Sequence, residues 1–272
     1  MASTAELLAE TARLPRHEAE RLLAAASGRS RQGLVLDIDL PDEVAERFRE
    51  LVGRRLAGRP LQYLEGTVQF GPLDLAIDQR ALIPRPETEQ LWELVVGAVT
   101  TPPLVVVDLC TGSGNLALAC KHSWPAAAVY AVDLSPAAAA LARENAIRTG
   151  LDITVLDGDL FAPLPADLHG LVDVVVANPP YVAESEMPLL PAEVRNYEPA
   201  VALVAGPDGD EVLARIAAAA GRWLRPGGLV ACEISEFRPE TAVRLFAGFG
   251  AVVRPDLAGR PRHLIGRMPP GG

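Results

Sequence analysis

Val172-Asp173-Val174-Val175-Val176-Ala177-Asn178-Pro179-Pro180-Tyr181 is the stretch on which the reading of this chain turns. Its first six residues are rich in β-branched side chains and predict a buried parallel strand. The two prolines that follow remove two backbone donors, so neither a ladder nor a helix continues through them, and the chain leaves the sheet as a stiff extended loop. Asn178 and Tyr181 are therefore expected at the carboxyl end of a strand, the edge at which open α/β sheets bind ligands.

An amide, two prolines and a phenol suit one kind of chemistry. The nitrogen of an amide or ring amino group has its lone pair drawn into a π-system, and it attacks an electrophile poorly until it is fixed in place with its hydrogens held by acceptors. The Asn178 side-chain carbonyl and the Pro179 backbone carbonyl offer two such acceptors. The Pro179-Pro180 pair holds them at a fixed separation, and Tyr181 is expected to lie flat on the group being held. Asn178, Pro179, Pro180 and Tyr181 are thus the candidate catalytic residues of a device that turns a planar NH2 towards an electrophile. Glutamine amide, adenine and cytosine all meet that description. The plainer reading of the same residues is turn punctuation with a tyrosine lid on the core.

Moving towards the amino terminus, Leu104-Val105-Val106-Val107-Asp108-Leu109 predicts another strand, followed by Cys110-Thr111-Gly112-Ser113-Gly114-Asn115 and a helix. Glycines let the backbone approach a ligand closely, and the helix start offers free N–H groups. A second strand from Ala128 to Val132 ends in Asp133, near the spacing at which an acid holds a ribose hydroxyl in a βαβ unit. A third, from Ile153 to Asp157, leads to Asp159. Two cofactor classes compete for this frame. Gly112, Gly114 and Ala117 formally match a dinucleotide fingerprint, a weak signal when it stands alone. S-adenosylmethionine has no phosphate and needs a glycine loop plus carboxylates for its hydroxyls and ammonium. Asp108, Asp133 and Asp159, at three successive strand ends, favour it.

The remaining chain reads more simply. Residues 4 to about 57 carry helical periodicity through Leu7, Leu8, Leu22, Leu23 and Leu51, with a new helix opened by Pro41-Asp42. They predict a small helical domain over 1–58 that recognises a partner, or else a packing appendage. Residues 59–90 read as a linker: a β-hairpin turning at Gly71-Pro72, then two prolines bracketing Arg85 and Thr88 as a helix cap. Residues 91–272 form the α/β domain. Pro191 to Pro199 is polar and interrupted, like a substrate lid. A helix from Val212 to Trp223, a turn at Pro226-Gly227-Gly228 and strands at Leu229–Ile234, Ala251–Arg254 and His263–Ile265 bring the expected sheet to seven strands.

Composition bounds the function. The chain has 272 residues, 49% hydrophobic and 22% charged, with a formal charge of −10 and a pI near 5.0. That acidity, with 5% aromatic residues, argues against a tight, sequence-independent hold on nucleic acid. Three scattered cysteines and four histidines fit neither a disulfide framework nor a metal site. No signal peptide or membrane-spanning run is visible, so a reducing, cytoplasmic location is expected. The tail Pro269-Pro270-Gly271-Gly272 is expected to fray.

Taken together, these motifs resemble the HemK-type (PrmC-like) glutamine methyltransferases that modify class I peptide chain release factors. The resemblance covers about residues 59 to 266. It rests on Arg59-Pro60-Leu61-Gln62-Tyr63 with Gly66 and Phe70, Ile83 to Glu89, Asp108-Leu109 with Thr111 to Gly114, Val132 to Ser135, Gly158 to Phe161, Asn178 to Val182, and Glu193 to Arg195 with Tyr197 to Pro199. Asn-Pro-Pro-Tyr alone is shared with methylases of adenine amino groups; its combination with Pro84 to Glu89 is far more specific. The resemblance implies a seven-stranded, Rossmann-like methyltransferase sheet with a final antiparallel strand, preceded by a helical domain that helps to dock the release factor. It implies S-adenosylmethionine as cofactor and S-adenosylhomocysteine as product. Asp108, Cys110, Thr111, Gly112, Ser113, Gly114, Asp133, Leu134, Asp159, Leu160 and Asn178 would bind the cofactor, and Asn178 to Tyr181 would hold the glutamine of a Gly-Gly-Gln motif. Adenine in nucleic acid, or a glutamine of another protein, is the alternative target. The enzyme is expected to act as a monomer. The chain departs from the family pattern at Cys110, where a glycine is usual, at Leu160, where some members have an aromatic residue, and at Ala205-Gly206, where a glycine pair is usual.

Overall fold

The computed structural model describes residues 1–30, 32–34 and 38–271. Its described residues fall into two compact units, Met1–Thr67 with Pro191–Tyr197 and Val68–Leu190 with Glu198–Gly272. The division thus falls at Thr67, inside the stretch 59–90 that reads as a linker. Of the tail expected to fray, Gly272 lies outside the described residues, and Pro269 to Gly271 join no helix or strand.

The first unit starts with a short strand β1 (Ala2–Ser3), helices α1 (Thr4–Ala9) and α2 (Arg16–Ser27), strand β2 (Asp39–Leu40), and helices α3 (Asp42–Leu56) and α4 (Leu61–Glu65). Ser3 and Glu6 form a capping box, Ser3 Oγ accepting from Glu6 N at 3.2 Å and Glu6 Oε2 accepting from Ser3 N at 2.9 Å. The apolar stripe anticipated from Leu7, Leu22 and Leu23 closes on Leu40 and Phe48 as its core. Strands β1 and β2 pair antiparallel, which the helical periodicity gave no reason to expect. Helix α8 (Ala192–Tyr197), from the segment that reads as a lid, belongs to this unit. Arg55 joins it to α2, with its guanidinium 2.6 Å from Glu18 and 3.0 Å from Glu193.

The second unit opens with the hairpin strands β3 (Thr67–Phe70) and β4 (Leu73–Ala76), turning at Gly71-Pro72, and with helix α5 (Pro86–Ala98). It continues as β5 (Val105–Leu109), α6 (Asn115–Ser123), β6 (Ala128–Asp133), α7 (Pro136–Thr149), β7 (Thr154–Asp157) and β8 (Val172–Ala177). After the short strands β9 (Val182–Ala183) and β10 (Val204–Gly206) come α9 (Glu211–Trp223), β11 (Leu224–Glu233), α10 (Pro239–Leu245), β12 (Val252–Pro255) and β13 (Pro261–Arg267). Seven strands form one sheet in the order β12-β13-β11-β8-β5-β6-β7, with β13 antiparallel to β11 and to β12.

Strand β8 is buried along its whole length. Val172, Val175 and Ala177 pack on one face with Ile216 and Trp223 of α9 and Phe246. Val174 and Val176 pack on the other with Leu91 and Val95 of α5 and with α6. Coverage on both faces is why the strand reads as a near-continuous apolar run. Asp173 interrupts the run without orphaning a charge: it accepts from the N–H groups of Leu104 and Val105, at 2.8 and 2.9 Å, and pairs with Arg225. The expected turn at Pro226-Gly228 is instead a bulge inside β11, where the register to β8 shifts between Leu224 and Leu229. A β-carbon on Gly228 would lie 2.9 Å from the Arg225 carbonyl, so only glycine fits that bulge.

Candidate active site

The register of the sheet decides what meets at its carboxyl edge. Ala177 of β8 pairs with Leu109 of β5 on one side and Cys232 of β11 on the other. Leu109 pairs in turn with Val132 of β6, and Asp133 with Asp157 of β7. One residue further along stand Asn178, Cys110, Glu233 and Asp133. The chain runs outwards from β5 to β7 and then returns to β8 on the other flank of β5, so these residues surround the topological switch point, where such sheets form ligand crevices.

A cavity of about 260 Å³ opens there. The β5 loop contributes Cys110, Thr111 and Gly112, the β6 loop Asp133 to Ser135, the β7 loop Asp159 and Leu160, and the β8 loop Asn178 and Pro180. The wall is completed by Arg80, Ala81, Leu82, Pro84 and Thr88 on one segment and by Pro199, Val201, Ala202, Val204 and Ala205 on another. Glu198 joins those two segments, since Ile83 N lies 3.4 Å from its carboxylate and Arg85 pairs with it. The bracketing prolines around Arg85 therefore stiffen a wall of the cavity.

On the β5–β7 side the polar groups are acids, and Asp133 is held by backbone. Asp133 Oδ2 accepts from Gly112 N and Oδ1 from Ser135 N, each at 2.8 Å. Burial raises its pKa, partly offset by those two N–H donors. A carboxylate has about four acceptor sites, so roughly two stay open towards the cavity, a set that fits the two hydroxyls of a ribose. Gly112, at φ 56°, would bring a β-carbon to 3.9 Å from Ala81 in that wall. Asp159 lies 2.5 Å from Arg215. Cys110 and Leu160 are the non-glycine residues with positive φ among the described residues, at 58° and 50°. The departures at Cys110 and Leu160 therefore sit where the backbone favours glycine.

Three residues expected around a cofactor stand behind the cavity wall. Asp108 is fully buried; its Oδ2 accepts from Thr111 Oγ1 at 2.5 Å and Ala117 N at 3.0 Å, while Oδ1 has no partner. Burial pushes its pKa up to about 7. It pins the loop to the first turn of α6. Ser113 is buried too, its carbonyl accepting from Asn145 Nδ2 at 2.9 Å. Gly114, at φ 82°, would place a β-carbon 3.1 Å from that of Ala142, so its bareness admits α7.

The β8–β11 side is a chain of side chains. Asn178 Nδ2 donates to Thr88 Oγ1 at 3.1 Å, Thr88 Oγ1 donates to Glu233 Oε2 at 2.8 Å, and Tyr181 OH donates to Glu233 Oε1 at 3.1 Å. Glu233 is 2% exposed, and burial raises its pKa. Thr88 is not a helix cap: α5 begins at Pro86 with no side-chain cap bond, and the hydroxyl turns inward to the carboxylate. Tyr181 is not among the residues that line the cavity. The buried Glu233 takes its hydroxyl, and the Arg262 guanidinium lies 5.7 Å from its ring centre. Pro179 is buried, leaving Pro180 as the proline in the wall. Sequence reasoning missed Thr88 and Glu233 as site residues. The available signal was an acid closing the apolar run Leu229 to Cys232, at the same strand edge as Asn178.

Among the described residues no cluster of His, Cys, Asp and Glu is arranged to hold a metal, and no helix is long and apolar enough to cross a membrane. The PrmC N-terminal domain family matches residues 1–66 and the methyltransferase small domain family residues 93–192. A release factor glutamine methyltransferase of Mycolicibacterium smegmatis is 45% identical over 97% of this chain and 94% of its own length. One from Moorella thermoacetica is 42% identical over 92% and 90%. Among solved structures, the T. thermophilus 16S rRNA N2 G1207 methyltransferase (RsmC) in complex with AdoMet and guanosine superposes with a TM-score of 0.55 at 19% identity, covering 74% of this chain and 49% of that one. That likeness concerns the fold.

Proposed function

Since this chain belongs to the release factor glutamine methyltransferase family, we propose that it transfers the methyl group of S-adenosylmethionine to the side-chain amide nitrogen of the glutamine in the Gly-Gly-Gln motif of a class I peptide chain release factor. The observation that carries this reading is the cavity at the switch point, with Asp133 on one side and the Asn178 amide on the other. S-adenosylmethionine, when bound, supplies an electrophilic methyl group and leaves as S-adenosylhomocysteine. Asp133 would offer acceptors to its ribose, Asp159 and Leu160 would flank its adenine, and Leu134 with Cys110 to Gly112 would complete its site. Asp108, Ser113 and Gly114 hold that loop from behind.

Asn178 Oδ1 and the Pro179 carbonyl take the hydrogens of the glutamine NH2, and Pro179-Pro180 keep the two acceptors at a fixed distance. Tyr181 anchors the loop through Glu233. The amide nitrogen gains the methyl and loses one hydrogen as a proton. Rate enhancement comes from positioning and electrostatics, with no covalent enzyme intermediate. Residues 1–58 dock the release factor, and the enzyme works as a cytoplasmic monomer. The charge of −10 supports the absence of a stable hold on nucleic acid.

Mass spectrometry of a recombinant class I release factor, after incubation with enzyme and cofactor, tests the assignment. One added methyl on the Gly-Gly-Gln glutamine is expected, and none on a Gln-to-Ala substrate. An unmodified release factor beside methylated nucleic acid would falsify the choice of substrate.

A further inference from the structure

We propose that Glu233, acting through Thr88, is a positioning residue that sets which way round the Asn178 amide faces. This rests on the amide-holding reading given above. An asparagine amide is nearly symmetric in shape, and a half-turn about its last bond exchanges an acceptor for two donors. For a substrate NH2 that exchange is decisive, because an NH2 presented to an NH2 repels it.

The hydrogen bonds of the site remove the ambiguity. Glu233 accepts at both oxygens, and Thr88 Oγ1 is the donor to Oε2, at 2.8 Å. A hydroxyl has one hydrogen. Thr88 Oγ1 is then an acceptor towards Asn178, 3.1 Å away, and only the Asn178 NH2 satisfies it. The carbonyl Oδ1 is left for the cavity that Asn178 lines. Both intermediaries are almost wholly buried, Thr88 at 1% and Glu233 at 2%, so water does not compete for these bonds. The second oxygen of Glu233 is occupied by the Tyr181 hydroxyl at 3.1 Å, so one carboxylate orients Asn178 and fastens Tyr181, three residues on. Since β11 lies beside β8 in parallel register, the polarity of this relay is built into the sheet.

Thr88→Val and Thr88→Ser, with Glu233→Ala and Asn178→Ala, test it in steady-state methylation of release factor and in calorimetric binding of S-adenosylmethionine. T88V keeps the side-chain shape and removes the relay. It is expected to lower kcat roughly tenfold while leaving cofactor affinity within about twofold. T88S should recover most of the loss. In the T88V/N178A double variant the losses should not multiply, because Thr88 acts only through Asn178. E233A also unfastens Tyr181 and should cost at least as much as T88V; if E233A does not fold, the valine and serine pair still decides. T88V with parental kcat beside a disabled N178A would overturn the relay alone, as would a T88S no better than T88V or losses that multiply in the double variant. An N178A that keeps parental kcat would instead overturn the amide-holding reading beneath it.

Discussion

On the β5–β7 side of the cavity, Asp133 is steadied by backbone N–H donors, that of Ser135 two residues on and that of Gly112 in the neighbouring strand-end loop. On the β8–β11 side the polar groups are side chains steadied by other side chains, with Asn178 held by Thr88 and Thr88 by Glu233. The first arrangement needs only two adjacent strand-end loops, those of β5 and β6. The second joins residues 88, 178 and 233 and exists only when the sheet and α5 are in place. Local geometry suffices to cradle a cofactor that arrives with its own reactivity. A sluggish amide nitrogen needs acceptors whose orientation is guaranteed, and that takes a buried network.

The most severe way to break this contrast is Asn178→Ala. Removing one well-placed acceptor should cut turnover by ~100-fold or more, with cofactor affinity changed much less. Single-turnover methylation with calorimetry separates the two. An equal loss in both would mean that Asn178 belongs to the cofactor side. Asp133→Asn sharpens the contrast from the other direction. It keeps one acceptor but turns an NH2 towards either Gly112 N or Ser135 N, so cofactor affinity should fall roughly ten- to thirtyfold. Turnover at saturating cofactor should recover to within a few fold. A kcat defect that persists at saturation would show the two sides to be coupled.

The same contrast explains what was legible beforehand. The central strand Val172–Ala177, the seven-strand count and the glycine loop are written in contiguous residues, whose periodicity and composition reflect burial on two faces. Asn178, Asp133 and Asp159 could be picked out because each closes or directly follows such a run. Thr88 looked like a helix cap because threonine near a helix start normally is one; only the neighbouring carboxylate, 145 positions away in sequence, turns it inward. The bond that ties Tyr181 to Glu233, 52 positions away, was illegible for the same reason. Asp108 misled differently: a strand-end acid before a glycine loop reads the same whether it faces a ligand or the back of the loop.

Asp108 gives a smaller, pH-resolved prediction. Its pKa of about 7 in the fold lies above the unfolded value of about 4, so the folded chain keeps a proton that the unfolded chain has already lost. That contribution to stability is full below the unfolded pKa, declines as pH rises, and is gone above about 7. Asp108→Asn resembles the protonated form: its carbonyl still accepts from Thr111 and Ala117, and its NH2 inherits the unpartnered position of Oδ1. Relative to the parent, the variant should gain about 2–3 kcal/mol between pH 5 and pH 8 in denaturant unfolding without cofactor. A difference independent of pH would show that Asp108 is ionised throughout.

The least expected effect is at Cys110, and it tests whether the cofactor side depends on backbone alone. A non-glycine residue at φ 58° costs about 1–2 kcal/mol in backbone strain, which Cys110→Gly relieves. Against this stand the extra freedom of glycine in the unfolded chain, about 0.4–1 kcal/mol, and the lost packing of the thiol against the core beneath. The terms nearly cancel, so stability should change by less than about 1 kcal/mol. Burial raises the thiol pKa well above its ordinary value, which keeps it protonated and unfit as a nucleophile. Turnover and cofactor affinity of C110G should therefore stay within about twofold of the parent. A loss beyond tenfold in affinity, with stability unchanged, would mean that the sulfur itself contacts the cofactor and that this side of the cavity also relies on a side chain.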